Sequence, residues 1–222
     1  MLKGYGQFVI EKINEIPEGK PIFTKEISDL LVKQFGIENS RAKKIVNTTL
    51  NRINGTLIQN YRKGIYYKPK TSVFGKTSLN PMEVTRKMYL SDGNEIIGYE
   101  TGPSLLQKIG LTTQIPKYRY IATNKYNNKG NRIIEDMKVV IRKPNTPVDR
   151  DNIFYLQLID AIENKDKVNI NSHNPSGILN DYITRNKLDY GKLIAIAAKN
   201  YGREAILRIS DLAVKTRLWS YI

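Results

Sequence analysis

Lys44, Asn47, Thr48 and Asn51 recur at spacings of three and four, so an α-helix would carry them as one stripe. Each side chain is of a kind that handles nucleic acid. Asn pairs bidentately with adenine in the major groove, Thr meets a thymine methyl, and Lys reaches guanine or phosphate. Arg41, Lys43 and Arg52 flank the stripe. A polar stripe is more often a solvated face, but two details favour contact. It lacks the Glu–Lys pairs of an ordinary exposed helix. It also uses Asn and Thr, which are poor helix formers away from caps.

The same neighbourhood is free of acid. Residues 39–82 hold nine Lys or Arg and no Asp or Glu, in a chain with 36 Lys+Arg against 21 Asp+Glu. Within it, residues 57–68 alternate two β-prone runs around Arg62-Lys63-Gly64, which predicts a hairpin with a glycine turn and a basic tip. Positive charge at such a tip suits backbone phosphate and positions a protein without reading sequence. Tyr66 and Tyr67 are of a type that stacks on single-stranded bases, although tyrosine in a hairpin more often packs across strands.

Other candidates for chemistry are sparser. Asp136-Met137-Lys138 has the Asp-x-Lys form of metal-dependent nucleases of the PD-(D/E)xK type, with Glu95 or Asp92 as the upstream carboxylate. This tripeptide is common by chance in a Lys-rich chain and also fits a polar turn between strands. Gly75-Lys76-Thr77 has the end of a phosphate-binding loop, but Lys70 stands where the first glycine is required. With no Cys, and His173 as the only His, Cys-based zinc sites, thiol nucleophiles, disulfides and His-pair metal sites are excluded. No metal or cofactor is expected.

A formal net charge of +15 in 222 residues points to an anionic partner, most often nucleic acid. A hydrophobic fraction of 40% suffices for a core. The first residues lack the pattern of a signal peptide. No apolar run approaches the ~20 residues of a membrane span. A cytoplasmic protein with no membrane association is the expectation.

The positioning elements follow from periodicity and breakers. Residues 2–14 predict a first helix, ended by Pro17, Gly19 and Pro21, with Ile22 and Phe23 as a short strand or packing hook. A second helix has Thr24 as cap and Ile27, Leu30, Leu31 and Phe35 inside, closed by Gly36. The third starts at Asn39 or Ser40, buries Ala42, Ile45, Val46, Thr49, Leu50 and Ile53, and ends at Gly55. Helix, helix, helix, hairpin is the order of a winged helix-turn-helix, here residues 1–75. A linker is expected at 68–79, rich in Lys, Pro, Thr, Ser and Gly.

Residues 79–168 open on a helix start at Asn80-Pro81. They continue through strands at 95–99, 118–123, 132–135 and 138–142, with helices at 103–109 and 152–163. Residues 169–222 form a helical tail at 175–186, 190–200 and 202–222. The fold class is α+β: an N-terminal winged helix-turn-helix, a mixed α/β domain and a C-terminal helical subdomain.

Gly102-Pro103, Leu105-Leu106, Gly110-Leu111-Thr112-Thr113-Gln114-Ile115-Pro116 and residues 120–123 resemble the AbiEi family of antitoxins from bacterial type IV toxin–antitoxin systems. Arg62-Lys63-Gly64-Ile65-Tyr66 is similar to the wing of that family's N-terminal domain. Thr101, Pro103 and Ile109 depart from its pattern, and the tail beyond Asn169 has no counterpart in it. The resemblance implies a transcriptional autorepressor, not an enzyme. It would bind inverted repeats in double-stranded DNA of its own promoter, with a homodimer on DNA among the arrangements expected. It would also oppose a neighbouring nucleotidyltransferase-like toxin, with no direct contact required.

Overall fold

A computed structural model of the chain describes residues 4–73, 75–167 and 169–216. The expected helix starts at residue 2 and the helix end at residue 222 lie outside the described residues. The fold is α+β, and the chain divides into two compact units, Met1–Val84 and Thr85–Ile222.

In the first unit, α1 (Tyr5–Glu15), α2 (Thr24–Phe35) and α3 (Asn39–Ile53) enclose one core. Val9, Ile13, Ile27, Leu31, Ala42, Val46 and Leu50 are its buried members, joined by Ile22 and Tyr66 from the strands and by Ile58 from the loop after α3. Gly36 ends α2 in the left-handed conformation, φ 65°, with its N–H donating to the Val32 carbonyl. That leaves only two residues before α3, so α2 and α3 must turn sharply against each other. β1 (Pro21–Phe23), β2 (Gln59–Arg62) and β3 (Ile65–Tyr67) form a sheet of order β1-β3-β2. Ile22 and Phe23 therefore lie in a strand, paired antiparallel to Tyr66 and Ile65.

Three sequence expectations differ locally. Leu30 is exposed, and Ser28 takes the inner place, its hydroxyl donating to the Thr24 carbonyl at 2.8 Å. Thr24 is not the cap of α2: Phe23 holds that position, and the Thr24 hydroxyl donates instead to the Gly64 carbonyl at 3.3 Å. Glu38, not Asn39 or Ser40, is the residue before α3, and the Ser40 hydroxyl donates to its carboxylate. The stretch at 68–79 contains a small hairpin, β4 (Thr71–Ser72) with β5 (Gly75–Lys76). The division into units falls after it, at Val84, beyond a helix start whose Asn80 side chain accepts the Met82 N–H. That helix, α4 (Pro81–Thr85), leads into a π-helical turn, Arg86–Leu90.

In the second unit β6 (Ser91–Asp92) and β7 (Glu95–Ile96) make a minor hairpin. The main sheet consists of β8 (Gly98–Thr101), β9 (Arg119–Thr123), β10 (Asn131–Ile134) and β11 (Val139–Arg142), in the order β10-β11-β9-β8. β9 and β11 run parallel and the other pairs antiparallel. α5 (Gly102–Lys108) and α6 (Ile153–Asn164) pack with it. The tail helices α7 (Pro175–Arg185), α8 (Tyr190–Asn200) and α9 (Arg203–Thr216) have no separate core: Leu179, Ile183, Leu193, Ile209 and Leu212 pack with Leu105, Leu106, Leu158, Ile159 and Ile162 of α5 and α6. Among the described residues no helix is long and apolar enough to cross a membrane.

Candidate nucleic-acid interface

The core side of α3 is Ala42, Val46, Thr49 and Leu50, all buried. Helical periodicity then sends Lys44, Asn47, Thr48 and Asn51 outward, and all four are exposed, as are Arg41, Lys43 and Arg52. The stripe is not uniform. Arg41 stacks its guanidinium over the Tyr5 ring, 5.6 Å from the centroid, which draws it toward α1. Arg52 also passes beside α1, where a Cβ on Gly6 would lie 3.9 Å from its guanidinium. Lys43 and Asn47 border a cleft of about 590 Å³ shared with Thr24, Lys25, Ser28, Asp29 and Asn39. The stripe thus runs between an arginine-lined flank beside α1 and a groove beside α2.

Asn51 is held from the sheet. The Tyr66 hydroxyl, on β3, donates to Asn51 Oδ1 at 3.3 Å. Tyr66 is buried and so is no platform for stacking; Tyr67, also buried, donates to Gln59 Oε1 at 2.7 Å. Both tyrosines serve packing and polar positioning.

The hairpin β2–β3 closes through Lys63-Gly64, with Arg62 opposite Ile65. Gly64 has φ 80°, a left-handed turn position that a side chain would strain. The register skips between Asn60 and Arg62, a bulge that the Asn60 side chain bridges by donating to the Arg62 carbonyl at 3.2 Å. Bulges twist a strand and re-aim its side chains. Lys63 is exposed at the tip and Arg62 half-buried, so the two expected basic contacts are not equivalent. The Thr24 N–H and hydroxyl both donate to the Gly64 carbonyl, at 3.0 and 3.3 Å. This clamp fixes the hairpin turn to the start of α2, and so places a basic tip and the α2–α3 groove in one unit. Thr24 and Lys25 were missed as members of this surface, since on the sequence Thr24 reads only as a helix cap.

Asp136 and Lys138 do not sit on a strand. Asp136 is in a single 3-10 turn, Glu135–Met137, and Lys138 follows at φ 52° in the left-handed region. Residues two apart share a face on a strand, and the turn at Glu135–Met137 does not supply that strand geometry. Glu135 accepts the Tyr118 hydroxyl, and Asp92 pairs with Lys125 at 2.7 Å. Among the described residues no group of three His, Cys, Asp or Glu is placed to hold a metal ion.

The chain matches no protein-family model, and no curated protein is significantly similar to it.

A second polar cluster lies inside the second unit, and no motif pointed to it. Asp160 of α6, 1% exposed, accepts Thr101 at 2.6 Å and Tyr99 at 2.9 Å on one carboxylate oxygen, which also pairs with Arg142. Tyr99 and Thr101 are two apart on β8 and therefore face α6 together. Burial and the Asp160 charge raise the Tyr99 hydroxyl well above its ordinary pKa. Burial alone would lower Arg142, but the neighbouring carboxylate reverses this and raises it. Tyr99 and Thr101 of β8 and Arg142 of β11 all converge on this one carboxylate of α6, so the cluster works as a clamp between sheet and helix. On the other side of β8, buried Glu100 pairs with Lys108 at 2.8 Å and with Arg119. The signal for the first of these clusters is a lone Asp160 in the apolar run Leu158-Ile159-Asp160-Ala161-Ile162.

Proposed function

We propose that the first unit is a winged helix-turn-helix that binds double-stranded DNA sequence-specifically, with α3 as recognition helix and β2–β3 as wing. One observation carries this reading. The exposed side of α3 and the exposed tip of the hairpin, in a stretch without a single acid, belong to one unit clamped together at Thr24–Gly64. Lys44, Asn47, Thr48 and Asn51 are the base-reading residues in this proposal. Arg41, Lys43, Arg52, Arg62 and Lys63 contact phosphate.

For the whole chain we propose an antitoxin-type autorepressor in the manner of AbiEi proteins, acting on inverted repeats in its own promoter and opposing a nucleotidyltransferase-like toxin. This part rests on the resemblance at Gly110-Leu111-Thr112-Thr113-Gln114-Ile115-Pro116. In the structure Leu111 is buried, and the buried Thr112 hydroxyl donates to the Asn169 carbonyl at 3.0 Å. Those roles are structural, so the segment supports kinship of fold before kinship of action.

The test is a competition gel shift with duplex from directly upstream of the coding sequence against random duplex. The reading requires preference for the upstream DNA. Affinity must also fall steeply with salt, as phosphate contacts release counterions. Asn47→Ala or Asn51→Ala should relax sequence preference by ~1–3 kcal/mol per lost base contact. Equal binding to random duplex defeats it. Co-expression with the product of the adjacent reading frame tests the antitoxin part separately.

A further inference from the structure

We propose that β10 is the surface on which two copies of this chain pair, edge to edge, about a two-fold axis at Ile133. The main sheet has two ends, and they are treated oppositely. β8 is buried at all four residues. At the other end no described strand pairs with the outer edge of β10, and Asn131, Arg132 and Ile133 are exposed. Ile133 is 54% exposed, which leaves a β-branched apolar side chain on an open edge. Native edges are usually blunted by charge, bulges or a covering element, because an open row of N–H and C=O groups recruits another strand.

The occupant that fits is β10 itself. In a sheet, residues directly opposite point to the same face, and a one-residue slip sends every side chain to the wrong side. A two-fold axis perpendicular to the sheet therefore has to pass through a residue pair. Placed at Ile133, it sets that side chain against its own copy. It sets Arg132 across from Ile134, so no like charges stand directly opposite. Placed at Arg132, it would oppose two guanidinium groups. Ile133 is thus the register that apolar burial and charge both select. Gly130, at φ 82°, and the 3-10 turn at Glu135–Met137 end the strand on either side and limit other registers.

Four residues bury far less than the roughly 1,000 Å² of a stable interface. Pairing is therefore weak in the free protein and strengthened where two copies occupy neighbouring half-sites of one duplex. That use of the pair rests on the DNA reading proposed above, whose inverted repeats have the same two-fold symmetry. The existence of the pair does not.

The chain lacks cysteine, so a single introduced thiol reports cleanly. Ile133→Cys, Arg132→Cys and Ile115→Cys proteins are oxidised at high concentration without DNA, and disulfide-linked dimer is followed by non-reducing gel. Directly opposite strand residues have Cα atoms about 4.5–5.5 Å apart, within disulfide reach. Thiols at 132 lie on diagonal positions, beyond the ~7 Å limit, and Ile115 is 86% exposed off the strand. Cross-linking several-fold faster at 133 than at either control is the expected result. Equal rates at all three positions would be random collision and overturn the proposal. Sedimentation of the unmodified chain against Ile133→Asp gives a second reading: association at raised concentration must be lost in the variant while the circular dichroism spectrum stays the same. If 133 cross-links and the protein shows no preference for its upstream DNA, the pairing stands and the DNA reading fails.

Discussion

The Tyr66 hydroxyl donates to Asn51 Oδ1 across the junction between β3 and α3. A carboxamide oxygen has two lone pairs, so this bond leaves Asn51 able to accept from a base as well as to donate through its NH₂. The bond fixes the plane of the amide before any ligand arrives. A freely rotating Asn would lose that freedom on binding, at a cost in affinity.

Tyr66→Phe therefore separates positioning from contact. The proposed reader, Asn51, remains, but its amide is no longer held. Preference at one base pair should weaken by about 0.5–1.5 kcal/mol, the typical net value of one hydrogen bond, and by less than in Asn51→Ala. The salt slope should not change, because no phosphate contact is touched. Competition among duplexes substituted at single positions measures this. An unchanged preference profile would leave the hydroxyl a purely structural role.

Lys63→Ala should act in the opposite way. The residue sits exposed at the Lys63-Gly64 turn, and in the proposed reading its charge meets phosphate and reads no base. All duplexes should bind more weakly in similar proportion. The slope of log affinity against log salt should fall by about 0.9 for each phosphate contact removed. A loss confined to one sequence would move Lys63 from phosphate contact to base reading.

How much of this surface was legible depended on how local its causes are. The α3 stripe comes from helical periodicity, and the Gly64 turn from a backbone conformation that glycine serves best; both are written within a few residues. The clamp of Thr24 on the Gly64 carbonyl joins residues 40 apart, and a hydroxyl that would serve as a cap gives no sign that it is used elsewhere. Leu30 reads as an inner residue because it is apolar, yet it is Ser28 that is buried, its hydroxyl satisfied within the helix. The tail helices look separable because the Asn169–Pro175 region is polar, but their apolar faces share one core with α5 and α6. Of the Asp160 cluster only the lone Asp in the apolar run of α6 is legible, because its partners come from β8 and β11, far apart in sequence.

Asp160→Asn tests that cluster. The change keeps the shape but leaves Arg142, three-quarters covered, without its counter-charge. Removing one partner of a buried pair is costly, while replacing both with apolar groups is often nearly neutral. Unfolding in urea should show a loss of about 3 kcal/mol for the single change, and partial recovery in the double variant Asp160→Leu/Arg142→Met. If the double variant is as unstable as the sum of both singles, the pair is not coupled and the clamp account is wrong.

The buried tyrosines set the alkaline limit of the second unit. Burial raises the hydroxyls of Tyr99, Tyr182 and Tyr201 above their ordinary value, and Asp160 adds to the effect on Tyr99 and Tyr201. A raised folded pKa means that the native state keeps its protons while the unfolded state releases them near pH 10. Their stabilising contribution is whole below that pH and is lost as pH rises toward the folded values. The expected slope is about 1.4 kcal/mol per pH unit for each such tyrosine. Thermal melts from pH 8 to 11 should therefore be flat in this respect up to about 9.5 and fall beyond it. Tyr182→Phe should flatten the fall by one tyrosine's share: it gives up only a hydrogen bond to Gln157 Oε1 of 2.7 Å and leaves the Asp160 cluster intact. A decline that is unaltered by this change would show that Tyr182 ionises as freely in the native state as in the unfolded chain.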